Sequence, residues 1–179
     1  MSTITIEGLN FKRFISKEQI DERTKELGRQ IAADYQTDTL LCLVVLNGAM
    51  IFASELMLAM GSDIVYETIR IKSYQGTASD PSKLSLRTPL PDVEGRDILI
   101  IEDIIDKGYT YQYLHQILSD QGAKSIAIAS LLYKPDALEV KARKPKYYGF
   151  AIAPLFVVGH GLDYNEQGRT YPDIYQLSH

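Results

Sequence analysis

The chain has 179 residues, 45% of them hydrophobic, with a formal net charge of −4 and a pI of about 5.4. That is enough apolar chain for a real core, so residues 1–179 are expected to form a single domain, and too acidic a balance for an ordinary nucleic-acid binder. No apolar run has bilayer-spanning length, and residues 1–10 lack the layout of a secretory leader. The lone Cys42 allows no internal disulfide, so a cytoplasmic protein without a nucleic-acid or membrane partner is expected.

In chain order, Ser16-Lys17-Glu18-Gln19 reads as a capping box that opens a first helix. Ile20, Leu27 and Ile31 give that helix one apolar face. Leu40 to Leu46 is apolar on both faces, the pattern of a strand inside a parallel sheet. Cys42 lies within it and is expected to be a buried, inert thiol. Asn47-Gly48 ends the strand, Ala49 to Met60 reads as a helix, and Ile64 to Lys72 as a more polar strand. Ser73 to Gly95 is broken by Gly76, Ser79, Pro81, Ser82, Ser85, Pro89 and Pro91, which predicts an irregular, mobile lid. Order returns with a strand at Asp97 to Glu102 and a helix from about Thr110 to Gln121, with Tyr113, Leu114, Ile117 and Leu118 inward and Gly122 at its end. Ser125 to Leu132, Tyr147 to Phe150, Leu155 to Val158 and Pro172 to Leu177 complete the strands. Alternating strands and helices imply an α/β fold with a mostly parallel central sheet flanked by helices. Ligands of such sheets bind beyond the carboxyl ends of the strands, where Asn47-Gly48, Ser73-Tyr74, Glu102 to Thr110, Lys134 and Asp163 all fall.

The run Ile98 to Thr110 carries the most chemistry. An apolar strand meets two carboxylates, Glu102 and Asp103; Ile104, Ile105 and Asp106 follow, then a Lys107-Gly108-Tyr109-Thr110 turn and a helix. Carboxylates at a strand end can take ribose hydroxyls or Mg²⁺, and the amides of a turn and a helix N-terminus can take a phosphate. This order resembles the phosphoribosyl diphosphate (PRPP) signature of the phosphoribosyltransferases: apolar run, two acidic residues, two apolar residues, Asp, Thr, Gly, any residue, Thr. Every element is present except the first Thr, replaced by Lys107.

Leu46-Asn47-Gly48, Ser73-Tyr74, Leu132-Tyr133-Lys134-Pro135, Phe156 to Tyr164 and Arg169 occur in an order that resembles the hypoxanthine-guanine phosphoribosyltransferase family, over about Leu40 to Leu177. The resemblance implies the type I phosphoribosyltransferase fold, with a small hood from the terminal segments and a lid. It implies transfer of the 5-phosphoribosyl group from PRPP to N9 of hypoxanthine or guanine, giving IMP or GMP plus pyrophosphate in purine salvage. It further implies Mg²⁺ as cofactor and a homodimer or homotetramer. On that pattern Asp106 is the general base near purine N7, Glu102 and Asp103 face the ribose hydroxyls directly or through the metal, and Lys107, Gly108, Tyr109 and Thr110 cradle the 5′-phosphate. Lys134 donates to purine O6, Phe156 stacks on the base, and the backbone of Val157 meets the base edge. Asp163 joins the metal ligands on the pyrophosphate side, where Arg169 donates to pyrophosphate. Asn47-Gly48 offers amides to pyrophosphate behind a cis Leu46–Asn47 peptide, and Ser73-Tyr74 opens the lid.

Plainer readings stand beside several of these roles. Asp106 could cap a helix, Lys134 could be a surface lysine, and Phe156 could be core. Lys107, Asn47 and His160 depart from the family's usual residues; a structural role is expected for His160. A PRPP-sensing regulator of the same fold, and a transferase acting on xanthine or another base, are the rival functions. Choice at the purine C2 position is expected to fall to backbone near Val157 and Asp163, which makes Asp163 a purine-site residue as well, and is not written in side-chain identity.

Overall fold

The structure is a computed structural model that describes residues 2–35, 39–61, 63–75, 79–140 and 144–178; for residues 73–75 and 79–83 it describes the backbone alone. Two sheets organise the chain. The larger is six-stranded: β3 (Leu40–Leu46), β4 (Val65–Gln75), β5 (Ser79–Leu86), β6 (Asp97–Ile105), β7 (Ser125–Tyr133) and β8 (Tyr147–Ala151), in the order β5-β4-β3-β6-β7-β8. Its five strands other than β5 pair in parallel; β5 is antiparallel to β4. The smaller sheet joins the two ends of the chain: β1 (Thr3–Ile6) and β2 (Leu9–Ile15) with β9 (Val157–Val158) and β10 (Ile174–Leu177), in the order β1-β2-β10-β9. It is the hood that the resemblance implied, and β1 and β2 are strands the sequence reading did not contain.

Alternation along the central strands sorts side chains into two cores. Leu40, Cys42 and Val44 of β3 and Leu99 and Ile101 of β6 pack on one face with α1 (Lys17–Asp34) and α2 (Met50–Met60). Leu41 and Leu43 of β3 and Ile98 and Ile100 of β6 pack on the other with α3 (Tyr109–Asp120). Burial pushes the Cys42 thiol up to about 12, as expected of an inert core cysteine. Helix α1 starts at the expected capping box: Ser16 Oγ accepts from Gln19 N, and Gln19 Oε1 accepts from Ser16 N at 3.0 Å. Gly28 permits the close approach of α1 to α2, since a Cβ there would meet Ala59 at 2.5 Å. Arg23 of α1 donates to the carbonyls of Tyr148 and Gly149, tying that helix to the edge strand β8.

Three expectations change. β4 continues to Gln75 and pairs with β5, so Ser73 to Gly95 is not irregular throughout. Pro81 lies on β5, an edge strand, the place in a sheet where a residue without an N–H donor is accommodated. β6 runs to Ile105, so Glu102 and Asp103 lie inside the strand rather than past it. On α3 the inward residues are Tyr111, Leu114 and Leu118; Tyr113 is only half-buried, because the helix phase is set from Tyr109.

Candidate active site

The carboxyl ends of β3, β6 and β7 open into one region. After β6 the chain makes the turn Asp106–Gly108 and enters α3. Gly108 occupies the N-cap at φ 87°, a left-handed conformation that glycine adopts without a Cβ clash. Among the described residues no side chain forms a cap hydrogen bond at the start of α3, and the helix N-terminus, the end whose dipole favours an anion, lies at a cavity. Lys107, Gly108, Tyr109 and Thr110 line a cavity of about 350 Å³ together with Glu102, Asp106, Val45 and Ile71. Asp106 is therefore not a helix cap.

Its partner is Lys134, which leaves the end of β7. Lys134 N donates to Ile105 O at 2.9 Å, fixing the backbone beside β6, and Lys134 Nζ donates to Asp106 Oδ2 at 2.8 Å. Lys134 is only 7% exposed, which removes the reading of an ordinary surface lysine.

Glu102 and Asp103 alternate along β6. Glu102 lines the cavity, whereas Asp103 is aimed at the turn after β3: a Cβ on Gly48 would lie 1.8 Å from Asp103 Oδ2. Burial, with Asp103 alongside, raises the Glu102 carboxyl well above its usual range. Burial likewise pushes Asp103 up to about 6, against the opposing pull of backbone amides and Arg169. The Leu46–Asn47 peptide is cis, as the resemblance implied. The turn is locked from its other side, since a Cβ on Gly161 would meet Gly48 O at 2.0 Å.

Gly161 belongs to the loop after β9. Arg169 Nη1 donates to Gly161 O at 2.8 Å, Arg169 Nη2 lies 2.8 Å from Asp163 Oδ1, and Asp163 Oδ2 accepts from Glu166 N at 2.8 Å. Asn47-Gly48, Asp103, Asp163 and Arg169 thus form one cluster. His160 is wholly buried; its Nδ1 is 3.1 Å from Pro172 O and its Nε2 is 3.2 Å from Glu55 Oε2 of α2, the structural role expected of it.

Phe156 is 45% exposed and meets Tyr164 edge-on at 5.7 Å, so it is an available aromatic face rather than core. Leu177 N donates to Phe156 O, which makes Phe156 and Leu177 a hydrogen-bonded pair and Val157 and Gln176 the next, non-bonded one. The main-chain groups of Val157 consequently point away from β10, toward the open edge of the hood. Ser73 and Tyr74 lie on β4, with side chains outside the described residues. Sequence reasoning missed Glu139, which accepts a hydrogen bond from Tyr109 Oη and forms an ion pair with Lys107 across about 30 residues of chain. No local pattern signals such a contact.

Among the described residues no three His, Cys, Asp or Glu groups are disposed to hold a metal unaided. Glu102, Asp103 and Asp163 nevertheless supply hard oxygen donors. They are the ligand type that Mg²⁺ takes, but they do not converge on one point: Glu102 lines the cavity, whereas Asp103 points at Gly48 on the opposite face of β6.

Residues 15–165 match the family model for the phosphoribosyl transferase domain. The chain is 38% identical over 164 residues to the hypoxanthine-guanine phosphoribosyltransferase of Bacillus subtilis, covering 91% of this chain and 91% of that protein. It is also 38% identical over 164 residues to the bifunctional protein TilS/HprT of Listeria innocua, of which it spans 25%. Among solved structures it is similar to a hypoxanthine phosphoribosyltransferase from Staphylococcus aureus, with a TM-score of 0.87, 33% identity, and 93% and 91% of the two chains covered.

Proposed function

Because this chain belongs to the phosphoribosyltransferases, and among them to the hypoxanthine-guanine phosphoribosyltransferase family, we propose that it transfers the 5-phosphoribosyl group of PRPP to N9 of hypoxanthine or guanine, releasing pyrophosphate. The observation that carries this reading is the Lys134–Asp106 contact at 2.8 Å beside the turn that opens α3. O6 and N7 are neighbours on one edge of a 6-oxopurine, an acceptor next to a protonated nitrogen. An ammonium touching a carboxylate offers the complementary donor and acceptor side by side. Adenine would set an amino group against the ammonium and leave it unpaired, a costly mismatch in a buried site.

In this mechanism Asp106 takes the N7 proton while Lys134 holds O6. Phe156 stacks on the ring, and the outward amide and carbonyl of Val157 meet the base edge. The turn amides of Lys107, Gly108, Tyr109 and Thr110 hold the 5′-phosphate. Asn47, Gly48 and Arg169 face the pyrophosphate, with Ser73 and Tyr74 toward the tip of the β4–β5 hairpin, whose Ile71 and Leu84 line the cavity and which as a lid would keep water from PRPP. Glu102 on the cavity side, and Asp103 and Asp163 on the Gly48 side, would offer oxygens to Mg²⁺, which when bound neutralises charge on PRPP and on the leaving pyrophosphate. The whole of 1–179 acts as one domain, a reading supported by a core that runs from Ile15 through β3 and β6 to Ile174. A homodimer or homotetramer is supported by exposed Met50, Leu58 and Tyr66, which line an apolar groove between α2 and β4. A cytoplasmic location accords with the free buried thiol of Cys42.

Lys134→Ala tests the base assignment. It is expected to lower kcat/KM for hypoxanthine and guanine about 10²-fold or more relative to adenine, in the range of lost buried polar contacts. An unchanged order of preference among bases would remove Lys134 from the purine subsite.

A further inference from the structure

We propose that Glu139 is a positioning residue that sets the strength of the 5′-phosphate subsite, by holding the Lys107–Tyr109 turn in its binding shape. The inference rests on the transferase reading above. Three links join this one residue to the turn. Glu139 N donates to Lys107 O at 3.1 Å, Glu139 Oε1 lies 2.6 Å from Lys107 Nζ, and Tyr109 Oη donates to Glu139 Oε2 at 2.8 Å. The two gripped residues flank Gly108, whose φ of 87° and lack of a Cβ leave it the freest point of the turn. Both gripped residues line the cavity, whereas Glu139 does not. Its backbone follows the short helix Pro135–Ala137 that begins just after Lys134, so the tether spans from the end of β7 to the phosphate turn.

Lys107 stands where the family pattern has Thr, and a free ammonium at that position could add charge at the phosphate. Lys107 is instead engaged by Glu139, with both side chains about half exposed. An exposed ion pair contributes little to stability by itself. Its consequence here is geometric: amides gathered before the ligand arrives bind an anion better than amides that must be ordered by it.

The test is calorimetric titration of the full chain, in Mg²⁺, with ribose 5-phosphate, PRPP and pyrophosphate, alongside steady-state kinetics. Glu139→Ala is expected to weaken ribose 5-phosphate and PRPP about fivefold to tenfold and to raise KM for PRPP equally. Pyrophosphate affinity, KM for the base and kcat should stay within twofold. Glu139→Gln, which keeps an acceptor for Tyr109, should recover most of the loss. In a Lys107→Ala/Tyr109→Phe background, Glu139→Ala should weaken ribose 5-phosphate by less than twofold. Unchanged or tighter ribose 5-phosphate binding in Glu139→Ala would overturn the proposal, because it would make Glu139 a competitor for Lys107 or a bystander. So would a parallel loss of pyrophosphate affinity or kcat, or wild-type protein that binds no ribose 5-phosphate. Wild-type protein that binds ribose 5-phosphate yet forms no nucleotide would instead sink the transferase reading, while the ratio of affinities still decides the role of Glu139.

Discussion

Asp106 sits at the meeting point of three elements, and its substitution separates chemistry from binding. Asp106→Asn keeps the shape and an acceptor for Lys134 but cannot take a proton. Turnover should fall about 10²–10⁴-fold, with KM for PRPP changed by only a few-fold; an equal loss in both would remove the base assignment. Asp103 makes a second, opposite kind of prediction. Its carboxyl is pushed up to about 6 by burial, so the folded chain binds the proton more tightly than the unfolded chain does. The stability contributed is fully present below the unfolded value near 4 and is lost as pH rises through about 6. In chelator, Asp103→Asn should therefore become the more stable protein by about 1–2 kcal/mol between pH 5 and pH 8, while losing activity in Mg²⁺; equal denaturation midpoints at both pH values would contradict this. Sequence identified both residues because the signature is contiguous. It could not separate their neighbours' alternatives: whether Lys134 and Phe156 were surface or core depended on burial, which only the packing of β7 and the hood reveals. Glu139 was invisible because its three links to the phosphate turn are tertiary.

The elements with strong local signals were legible as such. The capping box at Ser16, the apolar runs of β3 and β6, and Gly122 behind α3 each specify their structure within a few residues. Ser16→Ala should cost about 1 kcal/mol, read as a lower urea midpoint with an unchanged slope; an unchanged midpoint would mean α1 is held by tertiary packing alone. β1, β2 and β5 were not legible. The residues of β1 and β2 are mostly exposed, so hydrophobic alternation is weak there. β5 holds Pro81 and is stabilised by pairing with β4 rather than by its own composition. The register of β9 against β10 is a similar case: that Val157 turns its main chain outward follows from a pairing no single segment encodes.

At the scale of the molecule, one sheet carries two cores and brings Asn47-Gly48, Glu102 to Thr110 and Lys134 to one end, where the loop after β9 of the smaller sheet adds Asp163. The carboxyl-end rule for α/β sheets located that end before any contact was seen, but the splitting of Glu102 from Asp103 required knowing that β6 continues to Ile105. The exposed face of α2 and β4 belongs to this scale too. Leu58 is 80% exposed, and if the proposed dimer or tetramer forms through this face, Leu58→Glu should shift the protein toward monomer in light scattering without unfolding it; an unchanged mass would remove this face from the proposed assembly. The central claim is the reaction itself. The most direct measurement follows nucleotide formation from PRPP and Mg²⁺ with hypoxanthine, guanine, xanthine and adenine in parallel. The account predicts IMP and GMP from hypoxanthine and guanine, no AMP from adenine, and loss of turnover on adding a chelator. Nucleotide from adenine at a comparable rate, or none from either 6-oxopurine, would contradict it.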